Sequence, residues 1–508
     1  MKRNKQFILS SIIIFLATVT CQTSGNPIST PMAEPIQTAI TLPTAQPTST
    51  VSAENNIHAI FPSFSLTDPN TICIAHTSEA LSCLDATGWH IYKNGYDESS
   101  NPISTIPAGM IRCPDGRIYL NGGGIFQLEG EMLVELGGGG FSDLLTVVCG
   151  SENEIWVSYM GGVSYFDGST WTQYSVEKIF QGNSVAGSDY IHSMSVAPND
   201  NVWVTTGNSI ATFDGSDWKS LLPPGNPAVY SDSSMRGGEG LVIDSSGTVW
   251  VPTNRELLKY DGIQWTVFPF LKSTSNNLDW ENHTISINYI AADRENRIWA
   301  ATDQGEIYTL DQQSSNWDLQ FDIQQLGLGK PHYPLYDIQF DGRNRLWLAT
   351  NYGVGIYDGL TWTTYQLHTA NIYTNDITAL FILGDGPDNL PALEVKPPGS
   401  VLGKLVSRSS SPFIDAQVEL CLMPGDRDFS GDTPCANQAY HALADVNTDG
   451  SFMIPNVPVG SYYLMIKISD KWGSMVDANS PTIFSGHQEV EFSVSSGKEA
   501  QLGEIIIP

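Results

Sequence analysis

Residues 155–174 read IWVSYMGGVSYFDGSTWTQY, and variants of this phrase recur through the middle of the chain. Two aromatic positions mark the copies. The first lies at Tyr119, Trp156, Trp203, Trp250, Trp299 and Trp347, and the second at Trp89, Met132, Trp171, Trp218, Trp265, Trp317 and Trp362. Seven copies are visible, and the first two are degenerate. A fixed period of this length indicates a repeat architecture.

Each copy predicts four short strands. Strand A is an alternating apolar segment such as 191–196, strand B carries the first aromatic residue, strand C ends in Tyr/Phe-Asp-Gly, and strand D begins at the second aromatic residue. Asp-Gly between strands predicts a tight hairpin in which both central residues have positive φ. We therefore interpret the recurring acids as turn residues and the tryptophans as packing between blades. These acids are Asp167, Asp214, Asp261 and Asp358.

Residues 345–365, RLWLATNYGVGIYDGLTWTTY, resemble the two-component-regulator-type (YVTN/WD-like) β-propeller repeat. The resemblance implies a fold and no particular function, because such blades occur in sensors, binding proteins and enzymes. A lone strand at 376–383 predicts that the first blade is completed from both ends, giving a seven-bladed propeller over 55–392. The alternative makes 57–64 the first strand A and leaves 376–383 as a linker strand.

After a predicted linker at 393–400, residues 401–508 abandon the repeat. Residues 445–464, DVNTDGSFMIPNVPVGSYYL, resemble the carboxypeptidase-regulatory-like, transthyretin/Ig-like β-sandwich. That resemblance implies a non-catalytic module with a stabilising or adhesive role. The predicted fold class is therefore all-β: a propeller followed by a sandwich.

The chain begins with Lys2, Arg3 and Lys5, followed by an apolar run and Cys21. Residues 1–21 resemble a bacterial lipoprotein signal, which implies lipidation of Cys21 and a location on the extracellular side of the cell membrane. Plain secretion or an uncleaved anchor are the alternatives. Residues 22–54 are rich in Thr, Pro and Ser, which predicts a disordered stalk.

The composition excludes one large class of partner. The formal net charge is −30 and only 15% of residues are charged. Such a field repels nucleic acid and anionic membrane surfaces. With 46 glycines and 29 prolines, the chain suits a turn-rich β protein. We expect a monomer.

Six cysteines remain once Cys21 is set aside, and six allow 15 pairings. Three pairs are expected from their positions in the predicted strands. They are Cys73 with Cys83 across a hairpin, Cys421 with Cys435 in the sandwich, and Cys113 with Cys149 at the ends of neighbouring A strands.

Motifs for catalysis, cofactors and metals are missing. The sequence has no His-Glu-x-x-His, Gly-x-Ser-x-Gly, Gly-x-x-x-x-Gly-Lys or Cys-x-x-Cys. Two acidic loops, 445–450 and 426–431, begin like calcium loops, but Asn456 and Asn437 occupy the twelfth positions where a bidentate Glu is needed. We predict no cofactor and no metal, and we name no catalytic residue.

The long segments that cross from strand D to the next strand A share one face of a propeller with the B–C turns, and long loops on a rigid scaffold often bind ligands. The candidate site residues on that face are Tyr230, Arg236, Arg255, Trp280, His283, His332, Tyr333 and Tyr352. They favour a non-enzymatic recognition protein for a glycan or peptide. The rival hypothesis is a secreted hydrolase or lyase using His192, His283 or His332. A third is a sensory input detached from its kinase.

Overall fold

The computed structural model describes part of the chain, with gaps that fall mainly between strands. The described residues are 49–52, 55–60, 66, 68–76, 80–93, 109–121, 124–130, 132–137, 144–152, 154–181, 191–206, 209–221, 240–253, 256–270, 286–323, 325–326, 328, 335–407, 413, 415–421, 433–436, 440–468, 471–474 and 492–507.

Thirty strands and one short helix lie before residue 392 in this part of the chain. In chain order they are β1 (Ser49–Ser52), β2 (Asn55–Ile60), β3 (Ile72–His76), β4 (Ala80–Asp85), β5 (Gly88–Lys93), β6 (Gly109–Arg112), β7 (Ile118–Asn121), β8 (Ile125–Glu129), β9 (Met132–Leu136), β10 (Leu144–Cys149), β11 (Ile155–Tyr159), β12 (Gly162–Phe166), β13 (Thr170–Ser175), α1 (Val176–Phe180), β14 (Ser193–Val196), β15 (Val202–Thr205), β16 (Ile210–Phe213), β17 (Trp218–Leu221), β18 (Val242–Ile243), β19 (Val249–Pro252), β20 (Glu256–Tyr260), β21 (Trp265–Pro269), β22 (Ile287–Ala292), β23 (Ile298–Thr302), β24 (Glu306–Asp311), β25 (Asn316–Asp322), β26 (Leu335–Phe340), β27 (Leu346–Thr350), β28 (Gly353–Tyr357), β29 (Trp362–Tyr365) and β30 (Ile377–Ile382).

These strands form seven antiparallel sheets, and the protein is a β-propeller. In chain order of their central strands we number the sheets as blades 1 to 7. The strand orders are β30-β3-β4-β5, β2-β9-β8-β7-β6, β1-β13-β12-β11-β10, β14-β15-β16-β17, β18-β19-β20-β21, β22-β23-β24-β25 and β26-β27-β28-β29. The four-strand A-to-D meander predicted from the repeat is therefore present in each blade.

The hydrophobic core of the propeller is divided into seven clusters, and each lies between two neighbouring blades. Between blades 3 and 4, for example, Trp156 packs edge-on against Trp218 with ring centroids 6.3 Å apart. B strands such as β11 and β27 are buried along almost their whole length because each blade is covered on both faces. Packing between blades is the role predicted for the repeated tryptophans.

Blade 1 contains the two ends of the repeat region. β30 pairs antiparallel with β3, so that Ile72 lies opposite Ile382 and Ala75 opposite Ala379. One cluster then joins blade 7 to blade 1 and another joins blade 1 to blade 2. The lone strand at 376–383 thus supplies strand A of blade 1, as expected.

The segment before blade 1 differs from the prediction. β1 and β2 are added strands at the outer edges of blades 3 and 2, pairing with β13 and β9. A stalk that continues to residue 54 is therefore wrong for 49–52, while 22–48 lie outside the described residues. The alternative in which 57–64 is the first strand A is also wrong. Short runs such as Ser-Thr-Val-Ser suffice here because an outer strand gains backbone hydrogen bonds without needing a fully apolar face.

The Asp-Gly hairpins also differ in detail. Only the glycine of each pair has positive φ, with values of 97° at Gly168 and 96° at Gly359. The aspartate stays at negative φ because its carboxylate accepts hydrogen bonds from the backbone ahead of it, as Asp167 does from Ser169 N and Thr170 N. The hairpins are therefore Asp-capped turns, and the two-residue turn predicted from Asp-Gly is wrong.

Eight further strands follow the propeller: β31 (Gly399–Ser407), β32 (Gln417–Cys421), β33 (His441–Asp445), β34 (Ser451–Val457), β35 (Gly460–Ile468), β36 (Lys471–Ser474), β37 (Phe492–Val494) and β38 (Glu499–Ile507). They form the sheets β34-β31-β38 and β33-β32-β35-β36, with β37 beside β35. Both sheets contribute to one core, which includes Val401 and Leu464. The first strand begins at Gly399, two residues inside the predicted linker.

Candidate functional site

The two faces of the propeller differ. We call the face with the A–B turns and C–D hairpins the hairpin face, and the face with the D-to-A crossings and B–C turns the crossing face. The described A–B turns all span five residues, as in 244–248 and 341–345, whereas the crossings range from 137–143 to 222–241. Uniform turns offer the same chemistry in every blade, and crossings of unequal length do not.

On the hairpin face, polar side chains are engaged in structural hydrogen bonds. In three blades the carboxylate that ends strand A accepts a bond from the indole nitrogen of the first tryptophan. The pairs are Asp244 with Trp250 at 3.0 Å, Asp293 with Trp299 at 3.1 Å, and Asp341 with Trp347 at 2.9 Å. These three carboxylates are buried and also cap backbone N–H groups of their own turns.

Neighbouring A–B turns are tied to one another around this face. Asp200 accepts from Ser151 N and Oγ, Asn296 accepts from Ser245 N and Oγ, and Asn344 accepts from Arg294 N. The accepting residues have φ near +60°. Each tie joins one blade to the next.

The aspartates of the C–D hairpins are also engaged in hydrogen bonds within their own turns. Hydrogen bonds from the Thr170 backbone and side chain lower the pKa of Asp167 to about 2, and hydrogen bonds from the Lys219 ammonium and the Asp217 backbone lower the pKa of Asp214 to about 2. Backbone hydrogen bonds also lower the pKa of Asp261 and of Asp358. These acids act in the turns, as interpreted from the sequence.

Seven of the eight predicted site residues, from Tyr230 to Tyr333, lie outside the described residues, so the site itself stays a prediction. The eighth, Tyr352, is only 2% exposed. Its backbone N–H donates to Thr350 Oγ1 and its carbonyl accepts from Gln366 Nε2. In this structure the two-residue B–C turn leaves Tyr352 buried, which argues against the predicted ligand contact.

Of the three histidines proposed for an enzyme, only His192 is described. It is half-buried, and burial lowers its pKa. His283 and His332 lie outside the described residues.

The centre of the propeller holds a cavity of about 350 Å³ lined by strand A of six blades. Its lining is mixed: it includes the apolar residues Met110, Val147, Met194 and Phe381, several polar residues, and one carboxylate, Asp337. Asp337 Oδ2 accepts from Leu380 N at 2.8 Å and from Gln339 Nε2 at 3.1 Å. Burial raises the pKa of Asp337 to about 7.

Sequence reasoning missed Asp337 and the three aspartates that accept hydrogen bonds from the indole nitrogens. The three aspartates had a signal, since each lies six residues before the first aromatic residue of blade 5, 6 or 7. Asp337 had a weaker one, an acid within an inner strand whose counterparts are uncharged.

The structure joins the three expected cysteine pairs, Cys73–Cys83, Cys113–Cys149 and Cys421–Cys435. Within the described part of the chain, Glu419, Cys421 and Cys435 form one close group of potential metal-ligating atoms. The two sulfurs are bonded to each other, and the buried Glu419 carboxylate is bonded to His441 Nδ1 at 2.8 Å and Thr433 Oγ1 at 2.5 Å. All three side chains of this group are therefore engaged in bonds within the protein.

Of the two acidic loops, 426–431 lies outside the described residues. In the other, Asn447 N donates to Ser451 O, and Asp449 Oδ1 accepts from Ser451 N and Oγ. Loop 447–451 therefore forms a turn before β34.

No protein-family model matches the sequence, and no curated protein matches it. Solved structures do resemble the fold. A catalytically inactive virginiamycin B lyase from Staphylococcus aureus, solved with quinupristin, aligns with a TM-score of 0.41 at 14% identity over 59% of this chain and 96% of the lyase.

Two other solved structures are similar. The extracellular domain of the hybrid two-component system BT3049 from B. thetaiotaomicron aligns with a TM-score of 0.40 at 14% identity, covering 89% of this chain and 68% of that one. YCF48 from Cyanidioschyzon merolae aligns with a TM-score of 0.38 at 16% identity, covering 64% and 97%. Among the described residues, no helix combines the length and the hydropathy that crossing a bilayer requires.

Proposed function

We propose that the protein is an exported, non-enzymatic recognition protein whose crossing face binds a glycan or peptide. Lipidation at Cys21 would hold the protein on the extracellular side of the membrane. The protein would be a monomer, and residues from 399 onward would serve as an accessory module. The proposal includes both family assignments: a two-component-regulator-type propeller, and a carboxypeptidase-regulatory-like sandwich at 401–508.

The observation that carries the proposal is the contrast between the two faces. On the hairpin face, turn carboxylates and amides are already bonded to indole, hydroxyl and backbone groups. A polar group with its hydrogen bonds satisfied gains little from a ligand. The crossing face is where the chain varies in length and composition from blade to blade.

The sequence of the crossings adds the groups that recognition needs. Trp280, Tyr333 and Arg236 belong to three different crossings. Tryptophan, tyrosine and arginine are the residue types enriched at energetic centres of binding sites.

The test compares matched changes on the two faces. Truncating an aromatic anchor commonly costs about 2 kcal/mol or more, so Trp280→Ala and Tyr333→Ala should weaken a ligand found on glycan or peptide arrays at least about 30-fold. Asp167→Asn and Asp358→Asn should leave its affinity unchanged. If the hairpin variants lose affinity and the crossing variants bind normally, the wrong face has been chosen.

A further inference from the structure

Glu419 and Cys421 lie two residues apart on β32, so their side chains point to the same face of the sheet. Leu420, between them, packs into the core shared by the two C-terminal sheets, which places Glu419 and Cys421 on the opposite, outer face. Both are nevertheless fully buried, as is Cys435, which the disulfide joins to Cys421. A carboxylate and two sulfur atoms are therefore enclosed together outside the main core.

The turn that carries Cys435 is attached to β32 in two independent ways. One is the disulfide to Cys421. The other is the carboxylate of Glu419, which accepts hydrogen bonds from Thr433 Oγ1 and from Cys435 N, the latter at 3.2 Å. The second attachment does not involve sulfur. Reduction of the disulfide would therefore leave the turn in place and keep two thiols beside the carboxylate.

The potential ligand atoms are close enough to bind one metal ion. A carboxylate oxygen of Glu419 and the sulfurs of Cys421 and Cys435 all lie within 4.8 Å of one another. Thiolate and carboxylate ligands stand about 2.0–2.3 Å from a tetrahedral zinc ion, and hence roughly 3.5 Å from each other. Only the two sulfurs, once released from their bond, have to move apart.

The carboxylate of Glu419 keeps one position for a metal ion. Oε1 accepts from Thr433 Oγ1 and from His441 Nδ1, whereas Oε2 accepts from Cys435 N alone among the described residues. A carboxylate has about four lone-pair sites, so one on Oε2 remains. His441 lies opposite Cys421 on β33, and its side chain is 32% exposed. A hydrogen bond from such a neighbour holds a ligating carboxylate in orientation.

We propose that this group is a zinc site in its reduced form, with Cys421 Sγ, Cys435 Sγ and Glu419 Oε2 as ligands. A dithiol reductant transfers two electrons and two protons to the disulfide bond, which gives two thiols and the disulfide form of the reductant. Zn²⁺ then displaces both thiol protons to solvent, and a water molecule fills the fourth position. The inference goes beyond the crossing-face proposal, does not rest on it, and departs from the sequence-based expectation that the chain binds no metal.

The set of ligand atoms selects the metal. Two thiolates disfavour Ca²⁺ and Mg²⁺, which take oxygen ligands, while a carboxylate disfavours Cu⁺, which takes sulfur. Zn²⁺ accepts both kinds of ligand. Two thiolates and a carboxylate also concentrate three negative charges in a buried place, and among the described residues bonded to Glu419 only His441 can carry a positive charge. A divalent cation offsets that charge and its desolvation.

The experiment uses cobalt as a spectroscopic substitute for zinc, because thiolate ligands give Co²⁺ a sulfur-to-metal charge-transfer absorption. The full chain is reduced with dithiothreitol, freed of the reductant by anaerobic gel filtration and titrated with Co²⁺. We expect one Co²⁺ per chain with this absorption, and loss of the absorption when Zn²⁺ is added.

Variants assign the ligands. Cys435→Ser should lose the absorption, whereas Cys113→Ser, the same change in a propeller disulfide, should retain it. His441→Phe removes a donor to the carboxylate and should weaken Co²⁺ binding about tenfold or more, the usual cost of losing a partner of a metal ligand. Glu419→Gln, which replaces a ligand, should weaken Co²⁺ binding at least as much.

A reduced chain that retains no cobalt, or equal retention by Cys435→Ser, would overturn the inference. Alkylation and mass spectrometry count the free thiols. A Cys421–Cys435 bond that resists dithiothreitol in the folded chain would overturn the inference equally, because the site would be out of reach. Glu419→Gln retains the disulfide and so tests the site if the serine variant fails to fold. Wild-type affinity for Co²⁺ in Glu419→Gln would exclude the carboxylate as a ligand and with it the proposed site.

Discussion

At the scale of single residues, the propeller is stabilised by buried polar groups that the repeat pattern only partly reveals. The tryptophans at the first aromatic position were predicted to pack between blades, and they do. That Trp250, Trp299 and Trp347 also donate their indole N–H to a buried carboxylate follows from the geometry of the A–B turn. A five-residue turn brings the end of strand A beside the second residue of strand B, so the acid both caps its turn and satisfies the indole.

His76 is a buried residue whose contribution to stability should depend on pH. It is fully buried in β3 and bridges Ser82 Oγ at 2.7 Å and Thr374 Oγ1 at 3.1 Å. Burial lowers its pKa to about 3.

Its folded-state pKa lies below the unfolded value of about 6.5, so the unfolded chain binds the additional proton between those values. The stability contributed by neutral His76 is therefore complete above pH 6.5 and is lost as the pH falls toward 3. We expect chemical denaturation of wild type and His76→Gln to show a stability difference that favours wild type most at pH 7.5 and narrows in acid. A difference that stays constant from pH 7.5 to 4 would contradict the assignment.

At the scale of elements, the A–B turns act as connectors between blades. Asn296 in blade 6 receives two hydrogen bonds from Ser245 in blade 5, as Asp200 in blade 4 does from Ser151 in blade 3. The same turn position in blade 5 is Gly247, which has positive φ and no side chain. The facing residue of blade 4 is Pro198, which has no N–H to donate. Between blades 4 and 5, both the donor and the acceptor of this connection are therefore absent.

Asn296 allows this connection to be tested by two substitutions. Asn296→Gly keeps the left-handed backbone and removes both acceptor contacts, so it should lower the free energy of unfolding by about 1 kcal/mol. Asn296→Asp keeps an oxygen in place, as Asp200 does, and should retain most of the stability. Denaturant titrations of the two variants measure the effect. Equal losses in both would show that the contact between blades contributes nothing.

Much of the element structure could be predicted from the sequence, and the failures have physical reasons. The four-strand unit follows from period-2 alternation and the fixed aromatic spacing. β1 and β2 could not be predicted as blade strands, because outer strands depend on a partner edge formed more than seventy residues later in the chain, at β9 and β13. The Asp-Gly turns were given the wrong φ because the carboxylate competes for the turn N–H groups.

The central cavity was less predictable than the fold. Asp337 belongs to an alternating strand, and only the register with other blades shows that the matching residues of most other A strands are small. A repeat alignment gives the spacing of strands along the chain but not which residues meet across the centre of the ring.

At the scale of the whole molecule, the ring depends on the pairing of β30 with β3. Without it, the B strand of blade 1 would present an unpaired inner edge, and the clusters on either side would lose Leu380 and Phe381. Two truncations separate this role from that of the C-terminal sheets.

A chain ending at Pro398 keeps β30 and removes the two C-terminal sheets, whereas a chain ending at Gln366 removes β30 as well. We expect the propeller transition of the longer truncated chain to match that of the full chain in calorimetry, and the shorter one to unfold at a markedly lower temperature or aggregate. If both truncated chains melt together with the full-length propeller, pairing with β30 does not hold the ring closed.

The same pairing constrains the order of events during biogenesis. Ile72 meets Ile382, so blade 1 stays incomplete until some three hundred residues of later sequence have been synthesised and, in an exported chain, translocated. The entropy of closing so long a loop grows only logarithmically with its length, which makes the final equilibrium tolerant of the separation. The rate is less tolerant, because non-local strand pairing is slow and leaves an edge exposed meanwhile. Six blades can assemble from local meanders as they emerge, and the first one to emerge is the last one to be finished.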